Sequence, residues 1–153
     1  MKGKTAMTPQ ANTLQVNTPE ANTEVLRRVI EEGFNKGNLD ALDALFAPDF
    51  QEHQHGMVPP NLQGVKGAIS YLRSVFPDLT LKVEDSIAQG EMVWLRITAR
   101  GTQRGPLMGR PPSGKPFAIT VIDIARIVDG KMVEHWGVAD RFHQMEQLGV
   151  IQP

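Results

Sequence analysis

The spacing of apolar residues changes from a helical period to strict alternation at Pro77, and this change constrains the fold more than any other feature of the sequence. Before Pro77, apolar side chains recur three and four residues apart, as along one face of a helix. After Pro77 they alternate with polar ones, as on a strand with one wet face. Helices followed by antiparallel strands predict an α+β domain in which helices lie against one face of a curved sheet.

Three helices are predicted before the change of period. The first begins at Thr18 and Pro19, an N-cap followed by a first-turn proline, and ends at the polar stretch NKGN. A second, shorter helix begins after Asn38 and ends near Pro48, and a short extended piece, DFQEHQHG, follows it. The third ends at Pro77. The apolar positions that define these helices are Val25, Leu26, Val29, Ile30 and Phe34, then Leu39, Leu42, Leu45 and Phe46, then Val65, Ala68, Ile69, Leu72, Val75 and Phe76.

Four strands are predicted after Pro77. Residues 79–84 and 93–100 alternate between apolar and polar side chains. Residues 117–128 are mostly apolar in both alternating sets, so this strand should be covered on both sides. An Asp-Gly turn joins it to a partner strand, residues 131–138, and a short helix ends the chain. The long insert GTQRGPLMGRPPSGKP suits a mobile connection between two strands, and it could act as a lid.

Composition narrows the functional class. The 153 residues are 41% hydrophobic, enough for one domain, which we assign to residues 19–153 after a mobile tail of residues 1–18. A net charge of −1 provides no field to attract nucleic acid or a membrane surface. The chain has no cysteine, so disulfides and thiolate chemistry are excluded. Residues 1–24 lack the apolar region of a signal peptide, and we therefore expect a cytoplasmic protein.

Asp123 is a single acid in the apolar run TVIDIARIV. A carboxyl group in an apolar site raises its pKa until it can hold a proton near neutral pH, which makes it a candidate general acid or base. The alternative is a structural role, in which Asp123 caps a bulge or pairs with Arg96 or Arg126.

The register of the hairpin after Asp123 decides which residue faces this acid. With a tight two-residue loop at Asp129 and Gly130, Asp123 faces Trp136. With Gly130 as the left-handed bulge of a three-residue loop, Asp123 faces His135. The sequence alone does not decide between the two registers. We favour the second, because it sets an acid and an imidazole on one face, where each tunes the proton affinity of the other.

A metal site is the other reading of the histidines. His53 and His55 flank Gln54 and should project to the same face of an extended segment, where His135 could join them. The short H-x-H spacing lacks a carboxylate that completes a ligand set, so an exposed pair of loop histidines is the better explanation. We expect no metal and no cofactor.

Three long stretches carry a resemblance to a known family. NLDALDALFAPDFQEH, FPDLTLKVEDSIAQGEMVWLRITARGTQRGPLMGRPPSGKPF and DIARIVDGKMVEHWGVADRFHQMEQLG are similar to the SnoaL-like polyketide cyclases, often labelled ester cyclases. The resemblance covers about residues 23–150. It implies the fold of nuclear transport factor 2 and ketosteroid isomerases: a cone-shaped α+β domain whose strongly curved antiparallel sheet wraps around N-terminal helices and encloses an apolar pocket. It also implies a homodimer formed through the outer face of the sheet.

The resemblance also implies roles for particular residues. Asp123 occupies the position of the cyclases' general acid/base, and the family's EH pair matches Glu52 and His53. Together with the analysis of the residues themselves, this leads us to expect Asp123, His135 and His53 to be catalytic. The expected substrate-binding residues are Trp136, Trp94, Glu52, Met108 and Phe34. Relatives often have GTH where this chain has Gly101, Thr102 and Gln103, so a histidine at the pocket mouth is missing here.

The resulting hypothesis is a cofactor-free enzyme for an intramolecular aldol cyclisation or an isomerisation of a small apolar carbonyl compound. Asp123 would move the proton, while His135 and His53 orient the substrate or share protons. The alternative is a noncatalytic protein that binds small apolar ligands, as the mixed functions of this fold allow. A third possibility, epoxide hydrolysis, would need a water-activating cluster of the Asp/Arg/Asp kind, which the sequence does not assemble.

Overall fold

The computed structural model describes residues 16–152. Most of the predicted mobile tail, residues 1–15, lies outside this part of the chain. At the tail's end, the Asn17 side chain accepts a hydrogen bond from the Asp129 amide (2.8 Å) and donates one to the Asp129 carboxylate (3.0 Å). Asn17, which lies in the predicted tail, is therefore bound to the turn of the last hairpin.

The helices agree with the predicted positions in two of three cases before Pro77. Helix α1, Pro19–Arg28, begins as predicted, with the Thr18 hydroxyl accepting from the Ala21 amide, and it continues as a π-helical segment, Val29–Asn35. Helix α2 spans Leu62–Val75 and α3 spans Arg141–Gln147. The predicted second helix is only a 3₁₀ segment, Leu39–Ala44. In the part of the chain that the structure describes, no helix combines the length and the apolar character needed to cross a membrane.

Five strands form one sheet, and the fold is α+β as predicted. The strands are β1 (Phe46–Glu52), β2 (Thr80–Gln89), β3 (Met92–Thr102), β4 (Pro116–Val128) and β5 (Lys131–Ala139), in the spatial order β1-β5-β4-β3-β2. Three of the pairings are antiparallel, but β1 runs parallel to β5, so the sheet is mixed rather than antiparallel throughout. The piece DFQEHQHG, predicted only as extended, forms part of β1 and the loop after it.

One face of the sheet packs on the helices and forms the core. On β3, every second residue from Val93 to Ala99 is at most 5% exposed, which confirms the alternation predicted there. On β4 the odd-numbered residues from 117 to 127 face the core, whereas Ile122 on β4 and Trp94 on β3 are each 37% exposed on the other face. The expectation that β4 is covered on both sides is therefore corrected, because the described chain covers one side only.

The β4–β5 turn is a tight two-residue loop. Asp129 (φ 50°) and Gly130 (φ 74°) both adopt left-handed backbone angles, and Val128 pairs with Lys131. The three-residue loop that we favoured is wrong, because both turn residues tolerate positive φ. A bulge lies further along, where Ile127 pairs with Met132 but Arg126 pairs with Glu134. The shift places Asp123 opposite Gly137, which neither predicted register gave.

The long insert between β3 and β4 is attached to the end of α2. The amides of Arg104 and Gly105 both donate to the Val75 carbonyl, at 2.9 and 3.0 Å. Gln103 is buried, and its amide donates to the carbonyls of Gly105 and Pro111 while accepting from the Ser113 hydroxyl. A side chain at Gly105 would lie 2.4 Å from the Ser74 carbonyl, so this close approach requires glycine.

Candidate active site

A cavity of about 500 Å³ lies between the inner face of the sheet and the helices. Its wall is mostly apolar, with contributions from all five strands or their ends and from α1, α2 and α3. The apolar lining residues include Leu26, Val29, Ile30, Phe34, Phe46, Val65, Leu72, Leu79, Leu81, Phe117, Ile119, Val121 and Met132. The volume and the apolar wall are those of a site for one small molecule.

Three titratable side chains meet inside this apolar wall. Parallel pairing of β1 with β5 sets Glu52 beside His135, whose Nδ1 atom lies 2.9 Å from Glu52 Oε1. On the other side of β5, the His135 Nε2 atom lies 3.4 Å from Asp123 Oδ1. All three residues line the cavity. His135 therefore bridges two carboxylates that come from two different strands.

The two carboxylates change the proton affinity of His135. Burial by itself lowers the pKa of His135, but the hydrogen bonds and the charges of Asp123 and Glu52 outweigh burial and raise the pKa to about 9. The imidazole is therefore protonated at neutral pH. Each ring nitrogen then carries a hydrogen that it can donate to one of the two carboxylates.

Two further residues hold this cluster in place, and sequence reasoning missed both. The backbone amide of Gln54 donates a hydrogen bond to Glu52 Oε1 at 2.8 Å, so the buried carboxylate has a second donor besides His135. Gly137 lies opposite Asp123, and a Cβ there would lie 2.1 Å from Gln54 Oε1 and 3.0 Å from His135 Cε1. A glycine in the interior of a predicted strand, which often marks a close approach, was the available signal for Gly137.

Asp123 does not pair with an arginine, which was the structural alternative to a catalytic role. Arg96 pairs with Asp85 on the outer face of the sheet. Arg126 also lies on that face, where it pairs with Glu134 at 2.7 Å and with Glu91 at 3.3 Å. Among residues 16–152, the ion-pair partner of Asp123 is His135.

Four of the expected site residues lie away from the cavity. His53 stacks on Trp136, with ring centroids 4.7 Å apart, and its Nε2 atom lies 3.1 Å from Glu134 Oε1 on the outer face. Trp94 lies on the same face. These placements correct the expectation, because side chains alternate along a strand and the residues next to Glu52 and His135 must point outward. Met108 lies in the long insert, 72% exposed, and the cavity lining does not include it.

The remaining expected residues lie on the cavity wall. Phe34, Glu52, Asp123 and His135 all line it. His55 also lines the cavity, whereas His53 does not, so the two histidines do not share a face as predicted. Within residues 16–152, the structure contains no group of three or more His, Asp and Glu side chains arranged to hold a metal ion. Gln103 is buried in the long insert and does not line the cavity.

Comparison with known proteins identifies the family. The sequence profile of the SnoaL-like polyketide cyclases matches residues 24–148. Nogalonic acid methyl ester cyclase of Streptomyces nogalater is 28% identical over 120 residues, which are 76% of this chain and 89% of that protein. The structure of IdmH, a proposed polyketide cyclase of Streptomyces antibioticus, superposes with a TM-score of 0.76 at 35% identity and covers 84% of this chain and 98% of IdmH.

A second structure has the same fold. TsrD of Streptomyces laurentii superposes with a TM-score of 0.78 at 28% identity, over 88% of this chain and 98% of TsrD. The matched segment of the family profile contains all five strands and the cavity residues Glu52, Asp123 and His135. The chain belongs to the SnoaL-like polyketide cyclase family.

Proposed function

We propose that this protein closes a ring in a small apolar carbonyl compound by an intramolecular aldol reaction, without a cofactor. Asp123 takes a proton from the carbon next to a carbonyl group, and an enolate forms. The enolate carbon then bonds to a second carbonyl carbon of the same molecule. The resulting alkoxide takes a proton back from Asp123, so no atom is gained or lost. The observation that carries this proposal is a buried carboxylate facing an apolar cavity, with an imidazolium beside it.

Asp123 is suited to act as the base because its carboxylate has no arginine or lysine partner among the described residues. Its neighbour is a histidine on the adjacent strand, at 3.4 Å. A carboxylate that is not ion-paired with a guanidinium keeps free lone pairs that can accept a proton from the substrate. The apolar wall would keep water from the enolate, which water would otherwise protonate.

His135 is proposed to hold positive charge beside the base. With a pKa of about 9, the imidazole remains protonated while Asp123 accepts and returns the proton. The positive charge offsets the negative charge of Asp123 in a low-dielectric site. Glu52 completes the arrangement as a positioning residue, because it fixes the ring through Nδ1.

The name of one relative supports the reaction class. Nogalonic acid methyl ester cyclase is, by its name, a protein that closes a ring in a methyl ester. The cavity volume of about 500 Å³ is in the range of sites for drug-sized ligands.

The test uses a naphthyl-substituted 1,5-diketone, whose ring closure gives a β-hydroxy cyclohexanone, and chromatography with ultraviolet detection follows the conversion of the diketone to this product. We expect the wild type to accelerate this ring closure and Asp123→Asn to reduce the rate by about 10²- to 10⁴-fold while ligand binding is kept. Asp85→Asn is the matched control, because Asp85 pairs with Arg96 on the outer face, and its rate should equal that of the wild type. Equal rates for Asp123→Asn and the wild type would remove Asp123 from the mechanism. Binding without turnover would instead favour a noncatalytic ligand-binding protein.

We also propose that two copies associate through the outer face of the sheet. The support is the exposed apolar surface there, which comprises Ile87, Trp94, Ile122 and Val138. Apolar residues that are contiguous on a sheet face are typical of a protein interface.

A further inference from the structure

The cavity contains a second set of polar side chains, which the proposed chemistry does not use. Arg141 and Gln144 both line the cavity and lie three residues apart on α3, so they share one face of that helix. We propose that these two residues form a subsite for a carboxylate group of the ligand. The proposal rests on the proposed function in one respect, that the cavity is where the ligand binds.

Gln144 has a mostly buried side chain that faces the cavity. It is 5% exposed, yet the side-chain hydrogen bonds of α3 and its cap within residues 16–152 involve Asp140, His143, Glu146 and Gln147 instead. Among residues 16–152, the one fully enclosed side-chain polar atom without a partner is Asn22 Oδ1, so the Gln144 amide is open to the cavity and not sealed in the core. Since Gln144 lines the cavity, a bound ligand can provide a hydrogen-bond partner for this amide.

Arg141 supplies the charge. It is exposed and lines the cavity, and it forms no ion pair with any residue between 16 and 152. The cavity's two carboxylates, Glu52 and Asp123, are both engaged with His135. A guanidinium has only donors, and its geometry matches the two oxygens of a carboxylate. An acidic group of a ligand would therefore find an uncompensated positive charge here.

The two side chains together favour a carboxylate over other groups. One guanidinium and one neutral amide match a single negative charge, and the amide NH₂ can donate to one of its oxygens. A methyl ester in the same place would keep a hydrogen bond to Gln144 but lose the ionic contact with Arg141. We therefore infer that this chain prefers a ligand with a free carboxylic acid, in contrast to the relative named for a methyl ester.

The test compares the affinities of 2-naphthoate and methyl 2-naphthoate by calorimetry at neutral pH. We expect the wild-type protein to bind the acid at least about 10-fold more tightly than the ester, because a hydrogen bond to a charged group contributes more binding free energy than one to a neutral group. Arg141→Gln should abolish this preference, and Gln144→Leu should reduce the affinity for both compounds. Arg110→Gln removes the same charge from the long insert, which does not line the cavity, and should leave the preference unchanged.

The results separate this inference from the proposed function. Equal affinities for acid and ester in the wild type, or a preference that survives Arg141→Gln, would overturn the carboxylate subsite even if ring closure is observed. A preference for the acid that Arg141→Gln abolishes would support the subsite even if the diketone is not turned over.

Discussion

Glu52 and His135 are 83 positions apart in the sequence, and the Glu52 carboxylate lies 2.9 Å from the Nδ1 atom of His135. The contact exists because β1 and β5 run side by side in parallel, with Glu52 and His135 as register partners. It leaves the Nε2 atom to face Asp123. The protonation state of His135, and through it the charge beside Asp123, thus depends on a residue at the end of another strand.

Replacing Glu52 with Gln should lower the pKa of His135. The wild-type value of about 9 results from two carboxylates acting against burial, and the variant keeps only one of them. We expect a decrease of about 1 unit or more, in line with the effect of an opposite charge at this distance. The measurement is an NMR titration of the His135 ring carbon resonance in the wild type and in Glu52→Gln.

A second glutamate–histidine pair provides the control for that titration. His53 Nε2 lies 3.1 Å from Glu134 on the outer face, so Glu134→Gln removes a carboxylate from a histidine without touching the cavity. The pKa of His135 should be the same in Glu134→Gln as in the wild type. A His135 titration that Glu52→Gln leaves unchanged would contradict the role assigned to Glu52.

The raised pKa of His135 also predicts how stability depends on pH. The folded pKa of about 9 exceeds the ordinary value of 6.5, so the folded state binds the proton more tightly than the unfolded state does. The resulting stabilisation is fully present below about pH 6.5 and is lost as pH rises through 9. We expect the free energy of unfolding to fall by up to about 3 kcal/mol over this range, at 1.36 kcal/mol per pKa unit.

Urea unfolding of the wild type and of His135→Gln at pH 6, 7.5 and 9.5 measures this effect. The variant has no imidazole at this position, so its free energy of unfolding should fall less over the same range. Parallel curves for the two proteins would show that His135 is not protonated more tightly in the folded state.

A side chain at Gly137 should require the side chains of Gln54 and His135 to move. A Cβ there would come within 3.0 Å of His135 Cε1 and would displace the Gln54 amide oxygen, so Gly137→Ala should cost about 1–3 kcal/mol and lower the rate of ring closure. Gly67→Ala is the comparison for stability, because Gly67 lies within α2 and a Cβ added there would have no atom within 4 Å. That change should stabilise the fold by about 0.5–1 kcal/mol. Thermal unfolding measures both effects, and a Gly137→Ala variant as stable as the wild type would contradict this prediction.

The sequence predicted the elements better than their pairing. The period of apolar residues located α1, α2 and β2 to β5, because burial on one face leaves a repeating pattern along the chain. Asp123 stood out for the same reason, as a charge in an apolar run. No local pattern indicated that β1 would run parallel to β5, so the contact between Glu52 and His135 could not be predicted.

The sequence also did not predict correctly which face of the sheet some side chains occupy. The resemblance led us to expect His53 and Trp136 at the site. Each is next in sequence to a residue that faces the cavity, and neighbours on a strand point to opposite faces. The bulge between Arg126 and Ile127 shifts the register by one residue, and neither turn type alone could predict that shift.

The outer face of the sheet provides the last prediction. We expect the wild-type protein to be a dimer in solution and Ile122→Lys to be a monomer, because Ile122 lies on β4, at the centre of the exposed apolar surface, and a buried lysine without a partner is costly. The dissociation constant should rise by on the order of 100-fold, equivalent to about 3 kcal/mol. Light scattering after size-exclusion chromatography measures the mass of each protein. Phe142→Lys introduces the same charge at an exposed apolar residue on α3 and should remain a dimer, and a wild type that is monomeric at micromolar concentration would contradict the proposed interface.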